Sequence, residues 1–533
     1  MSMRQAIVVV LLFGMGAALF AMLQGANVTI EPGGQSVAIL PPSQSQPNKS
    51  VAPKSKPVFD GWTKPAAVLV LSGQQHGYIE PCGCSAVQLG GVSRRADLVR
   101  QIEERGWPFV AIDVGGVAST RRHRKQSQVK FEKTLAALQF MKYAAVSLGP
   151  EDLHVGPADY VMGVGVNLGD MPFLAANVVL LGSPDLGTPV RRKIVKVGDV
   201  KIAMTGVLGD SIKKDVLPPP VKGQPAGGNS EDITISDPIA ALTKVLAEID
   251  AEKPDLRVLL SHARPDETKA IAEKFADRFD LILSAGGPED PDGKPIRVGR
   301  TMIVTTGAKG KHVGVVGLFP KAEAKDRLRF ELIDMDGERF KNTRVMDDLM
   351  KEYQAELQRL NLAGTEPTTK HPTGSNFVGA ATCGECHTKA FAKWKTTRHA
   401  HGYDSLIEGR PELKDRWVSR IHDPECLACH VTGWDPKQFQ RYESGFLSAA
   451  ATAQLKGNQC ENCHGPGSKH VAAEREFKKT KKETDELLTL REARHLDLEL
   501  AKARVCYSCH DGDNSPDFDF KKYWPQIAHP GMD

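Results

Sequence analysis

Ala67-Val68-Leu69-Val70-Leu71 is an unbroken apolar run that ends in Ser72-Gly73. Similar runs follow at 109–114, ending at Gly115-Gly116, at 201–207, at 256–262, and at 281–285, ending at Gly286-Gly287. Short runs bounded by small residues and without polar alternation predict strands buried on both faces. Helical patterns lie between them at 96–104 and 238–251. The alternation predicts an α/β domain over 65–342, with any site in the loops after the strand ends. Met346, Met350, Tyr353, Leu357 and Leu360 then step by four and three. They predict one helix over 343–362, packed on its own domain, because two heptads are too few for an independent coiled coil.

The flanks are different. Arg4 precedes an apolar run over 6–23, which reads as an export signal kept as a membrane anchor within a segment 1–26. Residues 27–64 are rich in Pro, Ser and Gln and read as a flexible linker. A helix and a second linker fill 343–376, and 377–533 has little apolar periodicity. Within that last segment, 478–504 reads as a long, charged, solvated helix. A chain of 533 residues needs several such units. Its net charge of +4 is mixed in sign, and no basic tract is interleaved with aromatics, so no nucleic-acid role is expected.

Chemistry concentrates in the last third. Cys-x-x-Cys-His occurs at Cys383-Cys386-His387, Cys426-Cys429-His430, Cys460-Cys463-His464 and Cys506-Cys509-His510, which uses eight of the ten cysteines. Zinc sites and redox dithiols also use Cys-x-x-Cys, but neither requires a His directly after it. Four repeats of the full motif imply four covalently attached haem c groups, each with the motif His on its iron. The first cysteines are 43, 34 and 46 residues apart, too irregular for a strict repeat. Eleven of 16 histidines lie from His371 onward, so seven remain beyond the motifs: His371, His399, His401, His422, His470, His495 and His529. Two imidazoles close an iron to substrate and suit electron transfer, whereas one leaves an open position.

The same segment resembles a known family. Val378-Gly379-Ala380-Ala381-Thr382, Thr397-Arg398-His399-Ala400, Asp423-Pro424-Glu425 and Gly465-Pro466-Gly467-Ser468-Lys469-His470 surround the motifs. They resemble the tetrahaem cytochrome c family that partners hydroxylamine oxidoreductase. The resemblance implies His399, His470 and His529 as further iron ligands, with His401 and His495 competing for the fourth place. One haem in such proteins can remain five-coordinate.

Residues 65–342 resemble the 5′-nucleotidases and related dinuclear metallophosphoesterases, through Gln74-Gln75-His76-Gly77, Asp113-Val114-Gly115-Gly116, Gly149-Pro150-Glu151, Ser261-His262 and Gly286-Gly287-Pro288. The fold so implied is a layered β-sandwich flanked by helices, followed by a mainly α and irregular multihaem domain. The family's metal ligands are replaced by Gln74, Gly116, Pro150, Glu151, Gly286 and Pro288; only His76 and His262 survive. Such sites hold two metal ions about 4 Å apart, so phosphoesterase activity is not expected. Cys82 and Cys84 follow in the same loop. With His76 or His262 they could bind a soft metal, or they could form a disulfide or a redox dithiol.

These readings make the chain an exported tetrahaem cytochrome, exchanging electrons with redox partner proteins or quinone-linked donors on the periplasmic side. The competing reading is a multihaem oxidoreductase acting on a small nitrogen or sulfur compound at a five-coordinate haem.

Overall fold

The computed structural model describes residues 56–532, apart from 82–87, 120–123, 157–170, 184–188, 217–231, 410–412 and 414–415. The proposed anchor and most of the first linker lie outside the described residues, as do Cys82 and Cys84. Among the described residues no helix is long and apolar enough to cross a membrane.

Residues 67–334 form two six-stranded sheets. The first takes β1 (Ala67–Ser72), β2 (Phe109–Asp113), β3 (Tyr143–Ser147) and β4 (Phe173–Leu174) in parallel. The short pair β5 (Val178–Leu180) and β8 (Ile233–Ile235) stands apart. The second sheet has β6 (Arg192–Val197), β7 (Val200–Leu208), β9 (Leu256–His262), β10 (Leu281–Ser284), β11 (Ile296–Val298) and β12 (Thr301–Val304). β13 (His312–Leu318) returns to the first sheet, antiparallel to both β1 and β14 (Leu328–Asp334).

The apolar runs have a simple cause. Successive side chains of a strand point to opposite faces. Ala67, Leu69 and Leu71 of β1 face the second sheet, where they share one core with Ile202 and Met204 of β7 and with Val258 and Leu260 of β9. Val68 and Val70 face the other way, onto helix α1 (Val92–Glu104) through Leu98 and Ile102 and onto α2 (Arg124–Phe140) through Leu135 and Leu138. Beyond the second sheet, Leu259 and Ile282 pack on α3 (Pro238–Ala251) and α4 (Pro265–Lys274). The result is helix, sheet, sheet, helix, with both sheets covered on both faces.

α5 (Arg344–Leu360) is the helix expected from the four-three spacing. Met346, Met350, Tyr353 and Leu357 are buried in the α1–α2 core, so it packs on the sheet domain. Asn361 ends it in the left-handed conformation at φ 49°. The following segment is less free than a linker. Thr369 bridges to Tyr442, and the Ser375 hydroxyl lies 3.1 Å from that of Ser468.

The segment 377–533 is built from short helices, among them α6 (Pro424–His430), α7 (Cys460–His464) and α8 (Ser468–Thr480). It has its own small core around Tyr403, Leu406, Leu427, Val431, Trp434 and Phe446. Residues 478–504 depart from the single solvated helix expected. α8 stops at Lys481, which is left-handed at φ 54°. A new helix, α9 (Asp485–Glu492), starts on the Thr484 hydroxyl, which accepts from Leu487 N, and Leu487 itself is buried.

One cluster around a buried histidine gives a pH prediction. His312, at the start of β13, has Nδ1 2.8 Å from Asp334 and Nε2 3.0 Å from Asp290. Burial pulls His312 down, but the hydrogen bonds to the two carboxylates more than offset it and hold it above its ordinary 6.5. Its stabilisation is therefore full below 6.5 and is lost as pH rises through the folded value. The hydrogen bond to His312 holds Asp290 and Asp334 low, so their share is lost as pH falls below the carboxylate range. Denaturant midpoints measured from about pH 6 to 9 should fall in the native protein and fall less in His312→Asn. Equal slopes would remove the cluster from the stability account.

Candidate functional site

Each Cys-x-x-Cys-His sits on a short helical turn: Ala380–Gly384, α6, α7, and the π-turn Ala501–Cys506 continuing into Tyr507–Cys509. A spacing of three residues puts both thiols on one side of such a turn. None of the eight sits in a disulfide. The Cys383 thiol lies beside that of Cys460, and the Cys429 thiol beside that of Cys509. The first motif is thus beside the third, and the second beside the fourth. His399, Cys429, His430, Cys463, Cys509 and His510 line one cavity of about 2040 Å³.

Histidines meet in pairs within this segment. Ring centres lie 6.5 Å apart for His387 and His470, 6.1 Å for His510 and His399, and 6.0 Å for His464 and His529. A metal–imidazole nitrogen bond is about 2 Å, so two imidazoles on opposite sides of one iron have centres roughly 6 Å apart. The residues therefore fit a haem iron at each pair. The other ring nitrogen is engaged in several cases. His464 Nδ1 lies 2.7 Å from Arg494 O, His529 Nδ1 2.9 Å from Ile527 O, and His430 Nδ1 2.8 Å from Gly402 O. A carbonyl at Nδ1 fixes the tautomer that leaves Nε2 bare for a metal. Burial lowers His399, His464 and His470, and burial pulls His510 down to about 4. Burial thus favours the neutral form of all four rings, the form that ligates iron.

The remaining candidates sit elsewhere. His401 is exposed, with Nδ1 3.6 Å from Asp404, and His495 is exposed. His371 packs its ring on Phe377 and Tyr442, and His422 is half-buried. The pairing order was not readable from the sequence, because each second His comes from a different motif's neighbourhood.

At the sheet ends, the positions matched to the phosphoesterase pattern do converge, but on backbone. Gly116 has φ +73°, and a Cβ there would lie 3.2 Å from Gln74 Cα and 3.3 Å from His262 Cε1. A Cβ on Gly149 would lie 2.6 Å from both Gly116 N and His262 Cε1. Asp152 fills the space behind. Its carboxylate accepts from the N–H groups of Gly116, Val117, Ala118 and Gly149 at 2.8–2.9 Å. Burial pushes Asp152 up to about 6 against the pull of those donors. His262 turns Nδ1 to Val114 O at 3.1 Å. His76 Nδ1 is 3.8 Å from Glu151, and both line the cavity that holds the haem motifs.

Several residues that join the two parts were missed from the sequence. Asp513, three residues after His510, is gripped by Lys309 at 2.7 Å, by Tyr78 at 3.0 Å and, through its carbonyl, by Gln88 at 2.7 Å. Arg420 pairs with Glu80 at 2.7 Å. The Asp-Gly-Asp after the fourth motif was the available signal.

The family model for cytochrome c554 and c-prime matches residues 382–465. Cytochrome c-554 of Nitrosomonas europaea is 31% identical over 118 residues, 20% of this chain and 48% of that protein. Apyrase of Aedes aegypti is 27% identical over 162 residues, 30% of this chain and 26% of that protein. The chain thus spans about half of the first relative's length and about a quarter of the second's. Among solved structures, the Thermus thermophilus sulfate thiohydrolase SoxB aligns with a TM-score of 0.46 at 19% identity, covering 56% of this chain and 62% of that one. The C-terminal part of the chain resembles the cytochrome c554 family, and the part before it resembles the 5′-nucleotidases and metallophosphoesterases.

Proposed function

We propose that the chain is an exported tetrahaem c-type cytochrome that transfers electrons, with a phosphoesterase-like domain that does not hydrolyse phosphoesters. Cys383, Cys386 and His387 hold the first haem, Cys426, Cys429 and His430 the second, Cys460, Cys463 and His464 the third, and Cys506, Cys509 and His510 the fourth. His470, His529 and His399 complete the first, third and fourth irons. The observation that carries this reading is the set of three histidine pairs at 6.0–6.5 Å, each joining one motif His to a distant one. A haem supplies a reversible one-electron couple, and motifs in contact with one another give a short path between couples. The protein's part is to fix the ring tautomers, as the carbonyls at Nδ1 of His430, His464 and His529 do. Export and a tether rest on the apolar run at 6–23, and redox proteins on the periplasmic side are the expected partners.

An optical and EPR-monitored redox titration of the holoprotein tests the reading. Low-spin signals from the three paired irons are expected. An oxidoreductase working at a five-coordinate haem requires a high-spin signal that responds to a small nitrogen or sulfur compound; its absence removes that alternative.

Crowding at Gly116 supports the loss of hydrolysis, because a carboxylate ligand there meets Gln74 and His262. No metal-stimulated cleavage of bis-p-nitrophenyl phosphate is expected with manganese, zinc or cobalt. Turnover that depends on added metal and is lost in His262→Ala would contradict it.

A further inference from the structure

The sheet domain touches the haem segment at chosen places. The third motif is fastened within its own segment: buried Glu461 accepts from Val378, Gly379 and Gly467, and Gln459 accepts from Ala380. The second motif is fastened across to the other domain. Asp423, 2% exposed, is the N-cap of α6, and its oxygens accept from Gln126 of α2 at 2.7 Å and Gln354 of α5 at 2.9 Å. Lys130 of α2 pairs with Glu425, and Glu80 pairs with Arg420 at 2.7 Å. Lys130, Glu425 and Arg420 are largely buried, and all four charged groups line the cavity.

We propose that the phosphoesterase-like domain acts as the positioning and charge-balancing wall of the haem held by Cys426, Cys429 and His430. This rests on the haem assignment above. Gln126 and Gln354 fix the start of α6 through Asp423, which sets where both thiols and His430 stand. Glu80 and Lys130 neutralise Arg420 and Glu425 beside that haem. Charges removed from water interact far more strongly than surface charges. Loss of Glu80 leaves a cation near the iron and favours its reduced form. Loss of Lys130 leaves an anion and favours the oxidised form. Residues of the domain thereby tune one haem without touching substrate or partner.

The test is a spectroelectrochemical titration of the full-length holoprotein with Glu80→Gln and Lys130→Gln, both conservative in size, after haem content has been measured. One and the same haem should shift in opposite senses, by about tenfold in its reduction equilibrium for each variant, while the other three stay in place. Glu80→Asp should restore much of the native value. Simple destabilisation moves both variants alike and lowers thermal stability without a sign change. Unmoved potentials, a common shift of all four haems, or shifts of equal sign overturn the proposal. Fewer than four haems in the native protein would instead overturn the assignment on which it rests.

Discussion

His470→Ala is expected to turn the first haem from low-spin to high-spin and to leave the others as they were. The His470 ring stands 6.5 Å from His387, and burial favours its neutral form. It comes from α8, which begins after the third motif, so its removal deletes no attachment residue and no turn of the first motif. A high-spin marker in EPR and a shifted charge-transfer band would report the change, with four haems still bound. Added imidazole should reverse it by restoring a nitrogen donor. An unchanged low-spin spectrum would mean that some other side chain holds that iron.

Asp152→Ala is expected to cost about 3–5 kcal/mol of stability, because it strands several buried N–H groups at once. The carboxylate is fully buried and takes four backbone donors from the loops after β2 and β3. Gly115 and Gly116 both have positive φ, at 90° and 73°, so this turn has a shape that few other residues adopt. Asp152→Asn keeps one accepting oxygen and should lose less. Denaturant unfolding measures both. A loss below about 1 kcal/mol for Asp152→Ala would mean that the turn holds its shape without the carboxylate. In this account a structural knot stands where the phosphoesterase pattern places its metal ligands.

The sequence was most legible where burial was symmetric. β1, β2, β7, β9 and β10 are covered on both faces, so each appears as a continuous apolar run. β13 was harder to see because it contains Gly314 and Gly317. A Cβ at Gly314 would lie 2.9 Å from the Phe330 ring, and one at Gly317 2.7 Å from the Trp62 ring, so these glycines make room for aromatics from elsewhere. The break at Lys481 was readable in principle, since Thr484 followed by Asp485 and Glu486 is a helix-start pattern.

The site divides in the same way. The four Cys-x-x-Cys-His motifs are local patterns and are legible in the sequence alone. His399, His470 and His529 were expected as ligands from resemblance, but which motif His each one meets depends on the fold, because His510, His387 and His464 are 111, 83 and 65 residues away. The cross-domain contacts of Asp423 and Glu80 had no local pattern, since such contacts are defined only when two domains meet, whereas Asp513 left the Asp-Gly-Asp after the fourth motif as a signal. The Cys82 and Cys84 loop lies outside the described residues, and its metal, disulfide and dithiol readings stand as the sequence left them.

The central claim is that this chain carries four covalent haems. Intact-mass measurement of the denatured holoprotein, read together with a pyridine haemochrome assay, tests it most directly. The account predicts a mass above the polypeptide by four haem groups that survive denaturation, and a haemochrome spectrum typical of saturated thioether links. A mass equal to the polypeptide alone, or a pigment extracted by acid acetone, would contradict it.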